Sequence, residues 1–176
     1  ESAIRGASTR VHNVVHLHVE SDMQQANRHA VFSVLHYFSS LHTLDLARAL
    51  NHDEVPLLID ALAHLKTLRE VKLWVGLWDE AQSNLLLETL SSLPLTAFFY
   101  GIVFQATTMR GQSLCANIKR MQKTLRAFGV YCRSTEVMEE LCNHLDAPNL
   151  RVLKLYDQDL SPAQVNALFQ RIDRMP

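Results

Sequence analysis

The chain of 176 residues is poor in the residues that staple or punctuate a fold, with three cysteines, five glycines and five prolines. The cysteines, Cys115, Cys132 and Cys142, are odd in number in a chain long enough for an ordinary core. That argues against a disulfide framework and for a reducing compartment, cytoplasmic or nuclear. No low-complexity linker interrupts the sequence, and its 48% hydrophobic content is that of one globular domain. Neither sign of charge is in excess: 17 Lys+Arg stand against 18 Asp+Glu, a formal net charge of −1. This balance leaves no electrostatic footprint for nucleic acid or for an anionic membrane. No apolar run approaches the roughly 18 residues that would span a bilayer. The first residue is Glu1 rather than methionine, and the expectation is a single domain, 1–176, taken from a longer chain.

Catalytic and metal-binding patterns are missing as well. There is no G-x-S-x-G, no glycine-rich phosphate loop, no H-E-x-x-H and no C-x-x-C. Cys115 and Cys142 fall in stretches of helical period, where a buried small hydrophobe is the usual role. His16 and His18 alternate along one stretch with His12 just before them, but only Glu20 and Asp45 offer themselves as further ligands, so no metal site is expected. His29, His36, His52, His64 and His144 lie on or beside helical stretches and read as solvated surface. The chain is therefore expected to be no enzyme and to carry no cofactor and no metal.

What the sequence does have is a period. The spacing L-x-x-L-x-L recurs at Val14/Leu17/Val19, Leu41/Leu44/Leu46, Leu68/Val71/Leu73, Leu95/Phe98/Tyr100, Leu125/Phe128/Val130 and Leu150/Leu153/Leu155. Leu17 to Leu44, Leu44 to Val71 and Val71 to Phe98 are each 27 residues, and the next two intervals are 30 and 25. Such a spacing predicts short strands whose apolar residues point into a core shared with the units on either side, while the residues between them face solvent.

Each strand is followed by a stretch of helical period that supplies an apolar stripe to cover it. The stripes read Ala30, Val31, Val34, Leu35, Phe38 and Leu41; Val55, Leu58, Ile59, Leu62 and Leu65; Leu86, Leu90 and Leu93; Leu114, Ile118, Met121 and Leu125; Val137, Leu141 and Leu145; and Val165, Leu168, Phe169 and Ile172. Helix starts are signalled by Asp53 ahead of Pro56, by Asp79-x-x-Gln82 and by Ser161-Pro162-x-Gln164.

Repeats of this kind resemble the leucine-rich repeat, in its longer, helix-bearing, ribonuclease-inhibitor-like form. The resemblance covers the chain from about Val14 onward. It implies an α/β fold: a curved, right-handed solenoid of about six β-α units, with parallel strands on the concave face and helices on the convex face. The family's asparagine or cysteine after each strand is replaced here by Asp22, Ala49, Gly76, Val103, Arg133 and Gln158, which implies irregular turns.

In a parallel sheet, equivalent outward positions line up as columns about 4.8 Å apart. One column runs His16, Thr43, Glu70, Ala97, Ala127, Val152; the next His18, Asp45, Lys72, Phe99, Gly129, Lys154; the third Glu20, Ala47, Trp74, Gly101, Tyr131, Tyr156. Trp74, Phe99, Tyr131 and Tyr156 thus put four aromatics on a face that has no need to be apolar, with small residues beside them. Rings flanking a shallow depression are the material of protein-binding hot spots. Lys72, Asp45, Glu70, Lys154 and His18 complete the candidate contact set, Asp45 and Lys72 as a lateral ion pair.

The expected partner is another protein, bound without chemistry, with further repeats or a capping partner at the ends. Two other roles follow from the resemblance alone: a Ran-type GTPase-activating domain, for which Arg48 is the edge arginine, or the substrate-receptor arm of a ubiquitin ligase. A third alternative is a structural segment of a larger assembly.

Overall fold

The computed structural model describes residues 13–75, 80–102, 108–132, 134–156 and 160–172, without the side chains at 48, 49, 75, 108–110, 171 and 172. Strands and helices alternate: β1 (His16–Val19), α1 (Gln25–Val34) continued by a 3-10 turn (Leu35–Tyr37), β2 (Thr43–Leu50), α2 (Glu54–Leu62), β3 (Glu70–Val75), α3 (Glu80–Ser91), β4 (Ala97–Ile102), α4 (Thr108–Met121), β5 (Ala127–Cys132), α5 (Thr135–His144), β6 (Val152–Tyr156) and α6 (Pro162–Ile172). The strands form one parallel sheet in the order β1-β2-β3-β4-β5-β6. The fold is α/β, and every strand of the expected repeat is present at its expected place.

Two kinds of contact hold neighbouring units in step. Inside, Leu44, Val71, Phe98 and Phe128 form one buried row across the sheet and Leu46, Leu73, Tyr100 and Val130 a second, each 2% exposed or less. At the entry to the strands, side chains reach back one unit: the Thr67 hydroxyl donates to Leu41 O at 2.8 Å, and Asn149 Nδ2 donates to Gln122 O at 3.0 Å. These bonds occupy backbone carbonyls that the turns leave without a ladder partner.

Each helix packs on its neighbours in sequence order, from α1 on α2 to α5 on α6, so the helices cover one face of the sheet. The stripes of α2 to α5 match the helical spacing closely: Val55, Leu58, Leu62 and Leu65, Leu86 and Leu90, Leu114 and Ile118, and Val137 and Leu141 are all buried. Asp60, His64, Lys66, Glu88, Lys119, Lys123 and Glu139 are exposed on the other side of these helices. Among the described residues, no helix is long and apolar enough to cross a membrane.

The structure corrects the sequence reading at several points. In α1 the buried stripe is Arg28, Phe32 and Leu35, whereas Ala30 and Val34 are exposed. Arg28 is buried because it has a partner 26 residues later: its Nε donates to Glu54 Oε1 at 2.7 Å, in a pair whose side chains are 4% and 0% exposed. Arg28 Nη1 also donates to Met23 O at 3.1 Å, and Glu54 Oε2 accepts from Asn51 N at 2.7 Å, so the buried charges are hydrogen-bonded on both sides.

Asp53, the expected cap of α2, makes no cap bond; its carboxylate accepts from Gln25 Nε2 at 2.9 Å instead. The Ser161–Gln164 box does form, with Ser161 N donating to Gln164 Oε1 at 2.9 Å and Gln164 N to Ser161 Oγ at 3.3 Å. Asp79 lies outside the described residues, as do Gly76, Val103, Arg133 and Gln158 among the turn positions. Ser134, not singled out from the sequence, caps α5 by accepting from Val137 N. Its hydroxyl also donates to Glu136 Oε2 at 2.7 Å, which holds that carboxyl below the usual carboxylate range.

At the last unit Leu153 is only half-buried, where full burial would match its counterparts Leu44 (0%) and Val71 (1%). No seventh strand covers β6 among the described residues.

Leu44→Ala should cost about 2–5 kcal/mol, because both neighbouring units hold the cavity open. Urea unfolding measures it, and a loss below about 1 kcal/mol would contradict the shared row. Glu54→Gln, which strands a buried guanidinium, should cost about 3–5 kcal/mol, and the double change Arg28→Met with Glu54→Leu should recover most of that loss.

Candidate functional site

The face of the sheet turned away from the helices carries the three outward columns. Two of them pair as the spacing predicts: Thr43, Glu70, Ala97, Ala127 and Val152 are successive partners, as are His18, Asp45, Lys72, Phe99, Gly129 and Lys154. The third does not hold at its start. The register between β2 and β3 shifts after Asp45, and Ala49, not Ala47, stands beside Trp74. β2 runs eight residues to Leu50, so its extra length is taken up in a bulge that bends the strand. Glu20 falls after the end of β1 and joins no column.

From Trp74 onward the column continues as Gly101, Tyr131 and Tyr156. Trp74 lies over Gly101: a Cβ there would sit 2.4 Å from Trp74 Cε3. Passing over the glycine, the indole meets Tyr131, on the strand after next, with ring centroids 5.3 Å apart. Phe99 does the same one column away. A Cβ on Gly129 would be 2.7 Å from Phe99 Cδ2, and the phenyl ring reaches Tyr156 at 5.4 Å, nearly edge-on at 79°. Trp74 and Phe99 are themselves 5.5 Å apart, so the four rings form one connected chain, Tyr131–Trp74–Phe99–Tyr156. All three separations lie in the range in which aromatic pairs attract beyond their area burial.

The rings remain open to solvent: Trp74, Phe99 and Tyr131 are half-buried and Tyr156 is 42% exposed. They wall a depression of about 550 Å³ whose floor includes Ala97, Ala127 and Gly129. Glu70, Lys72 and Lys154 stand at its margin. Seven of the nine candidate residues are thereby brought together.

Asp45 and His18 are not among them. They lie on β2 and β1, where Asp45 Oδ2 is 2.9 Å from Lys72 Nζ and 3.5 Å from His18 Nδ1. With the Lys72 side chain 52% exposed, that pair orients Lys72 and adds little stability. Among the described residues, the side chains of Glu70 and Lys154 have no ion-pair or hydrogen-bond partner. Arg48, the edge arginine, has its side chain outside the described residues.

Two basic residues next to this face escaped the sequence reading. Arg126 and Arg151 each precede a strand by one residue and sit on consecutive rungs, Arg151 N donating to Arg126 O at 2.8 Å. Arg126 Nη1 approaches Asn149 O at 3.5 Å, and Arg151 is exposed, its guanidinium without a partner among the described residues. Their signal is a fourth column, His42, Arg69, Thr96, Arg126, Arg151, written one position upstream of the first and joined by backbone bonds of 2.7–2.8 Å.

The helical face offers less. A depression of about 310 Å³ between α4 and α5 is lined by Gln112, Cys115, Ala116, Lys119, Glu140 and His144, and Lys119 is held by Asp146 at 2.9 Å. Cys115, Cys132 and Cys142 are all buried, and none is in a disulfide. Burial, with Glu139 nearby, pushes the Cys142 thiol up, away from reactive thiolate. Among the described residues, no three His, Cys, Asp or Glu side chains converge as metal ligands would.

Gly101→Ala should drive the Trp74 ring off its seat, since the added methyl meets the ring itself. In a Trp78→Phe background, where Trp74 is the only indole, this should shift the fluorescence and reduce the near-ultraviolet dichroism at an overpacking cost of about 1–3 kcal/mol. An unchanged spectrum would show that the ring does not lie over the glycine. The sequence matches no protein-family model and no curated protein, and what this face can bind follows from its own chemistry.

Proposed function

We infer that the chain is a non-enzymatic recognition domain: a curved, right-handed solenoid of leucine-rich-repeat type that binds another protein across its concave, helix-free face. Strands in strict sequence order with helices packed neighbour to neighbour favour a solenoid. A doubly wound sheet reverses its strand order at a switch point and carries helices on both faces.

The observation that carries the binding role is the chain of four rings on the solvent side of the sheet. Rings that need not be there for folding are held half-open by two glycines, around a depression of about 550 Å³. Rigid aromatics around a shallow, small-residue floor supply contact area at little entropic cost. The lining offers apolar contact and fixed charge rather than a nucleophile beside a base.

A second role, as a segment that stacks on further repeats, is favoured by the last unit. Leu153 and Leu155 are only half-buried there, and Val152 and Phe169 are 42% and 58% exposed. Stacking of this kind would make the isolated chain associate through β6 and α6, and a Phe169→Glu change would return it to a monomer in light scattering.

Trp74→Ala or Tyr156→Ala should weaken a protein complex on this face by about 2–4 kcal/mol, roughly thirty- to a thousandfold in Kd. The melting transition should move little, since both rings are partly exposed. Lys119→Ala and Glu139→Ala, on the helical side, should change binding less than about twofold. Proteins retained from a lysate by the native chain and by Lys119→Ala, but released by Trp74→Ala, would identify the partner. Equal retention by the Trp74 variant would defeat the concave-face reading.

A further inference from the structure

The same face is electrically polar along its length, and that polarity specifies a ligand. Its one open row runs across the strands from Glu70 over Ala97 and Ala127 to Val152. On the strand-exit side the row is walled by Phe99, which lies over Gly129. Outward columns are about 7 Å apart along a strand, whereas an α-helix with its side chains is about 10–12 Å across. The row therefore fits an extended chain.

Its two ends have opposite charge. At the β3 end the Glu70 carboxylate has no partner among the described residues, because the nearby cations are engaged: Lys72 with Asp45 at 2.9 Å, and Arg69 with Lys66 O and Leu68 O at 3.0 Å each. At the β6 end Val152 is flanked by Arg151 and Lys154, both exposed and without a side-chain partner among the described residues, with Arg126 one strand away. From β3 to β6 are three strand spacings, about 14 Å, the reach of roughly four extended residues.

We propose that the occupant of this row is an extended segment of a partner protein with an apolar middle, a basic residue meeting Glu70 and an acidic residue about four positions away meeting Arg151 and Lys154. The proposal rests on the recognition role above and adds its direction and charge. Lone charges at the rim of an apolar groove contribute modestly to affinity and strongly to orientation, since a reversed segment places like charges together at both ends.

The test uses four fluorescently labelled synthetic peptides with the same three-residue apolar centre. Their flanking residues, four positions apart, are Lys and Glu, Lys and Lys, Glu and Glu, or Gln and Gln. The native chain should bind the mixed peptide about threefold to tenfold tighter than either like-charged one in fluorescence polarisation. That preference should vanish near 1 M salt, where the screening length falls to about 3 Å. Glu70→Lys should turn the preference to the doubly acidic peptide, and Arg151→Glu with Lys154→Glu to the doubly basic one. All these positions are exposed, so melting curves matching the native chain's confirm that the variants fold.

An unchanged order of peptides in the charge variants would overturn the proposal, as would a doubly acidic peptide binding best to the native chain. If Trp74→Ala abolishes binding of all four peptides while none is preferred, the polarity is wrong and the recognition face stands. If Trp74→Ala leaves peptide binding intact, or no peptide binds, both fail. A mass that doubles in light scattering and falls back to the monomer in Trp74→Ala would make the occupant a second copy of the chain and overturn the proposal.

Discussion

No single β-α unit of this protein can bury its own inward residues, and the rest of the structure follows from that. Leu44 and Val71 are sealed because a further unit lies on each side, and the same contacts hold successive strands in one register. The helix-free columns are a by-product of that requirement. With every second residue committed to the core, the alternate residues are displayed across the sheet about 4.8 Å apart, free to be chosen for other purposes. The last unit makes the converse case: where, among the described residues, no further strand lies over β6, the same template leaves Leu153 and Leu155 half-buried.

Within the display, glycine does as much as the aromatics. A ring laid flat across the sheet needs the neighbouring position on the next strand to be empty. Here Trp74 and Phe99 each lie across a glycine on the next strand and touch a tyrosine on the strand beyond. Four rings from four strands become one connected wall that is rigid before any partner arrives, which lowers the ordering cost of binding. The wall also leaves the alanine row open, so the depression and its charged ends depend on two missing side chains. Arg28 and Glu54 act differently: buried and hydrogen-bonded to each other on the helical side, they tie α1 to the start of α2.

What the sequence by itself determined is what depends on spacing. Intervals near 27 residues located all six strands, and the i, i+3/i+4 stripes located the buried faces of α2 to α5, because both record the alternation between core and solvent that each element must satisfy. The four rings, their glycines and the pair Asp45–Lys72 were legible for the same reason, since a regular register carries equivalent positions to one side.

Only the tertiary structure decided the features that join residues remote in sequence. The bulge in β2 is invisible in an interval that stays at 27 residues, because the added strand residues are taken from the turn, and it moves Ala49 rather than Ala47 beside Trp74. Arg28 is buried because Glu54 waits 26 residues away, a partner that helical periodicity cannot see. The two ends of the groove belong to the same class. Glu70, Arg151 and Lys154 are ordinary surface charges in the chain, and it is packing that assigns Lys72 to Asp45 and Arg69 to backbone carbonyls and leaves those three side chains without a partner among the described residues. Period is a local property that each unit repeats, whereas which charges remain free depends on what every neighbouring element has already taken.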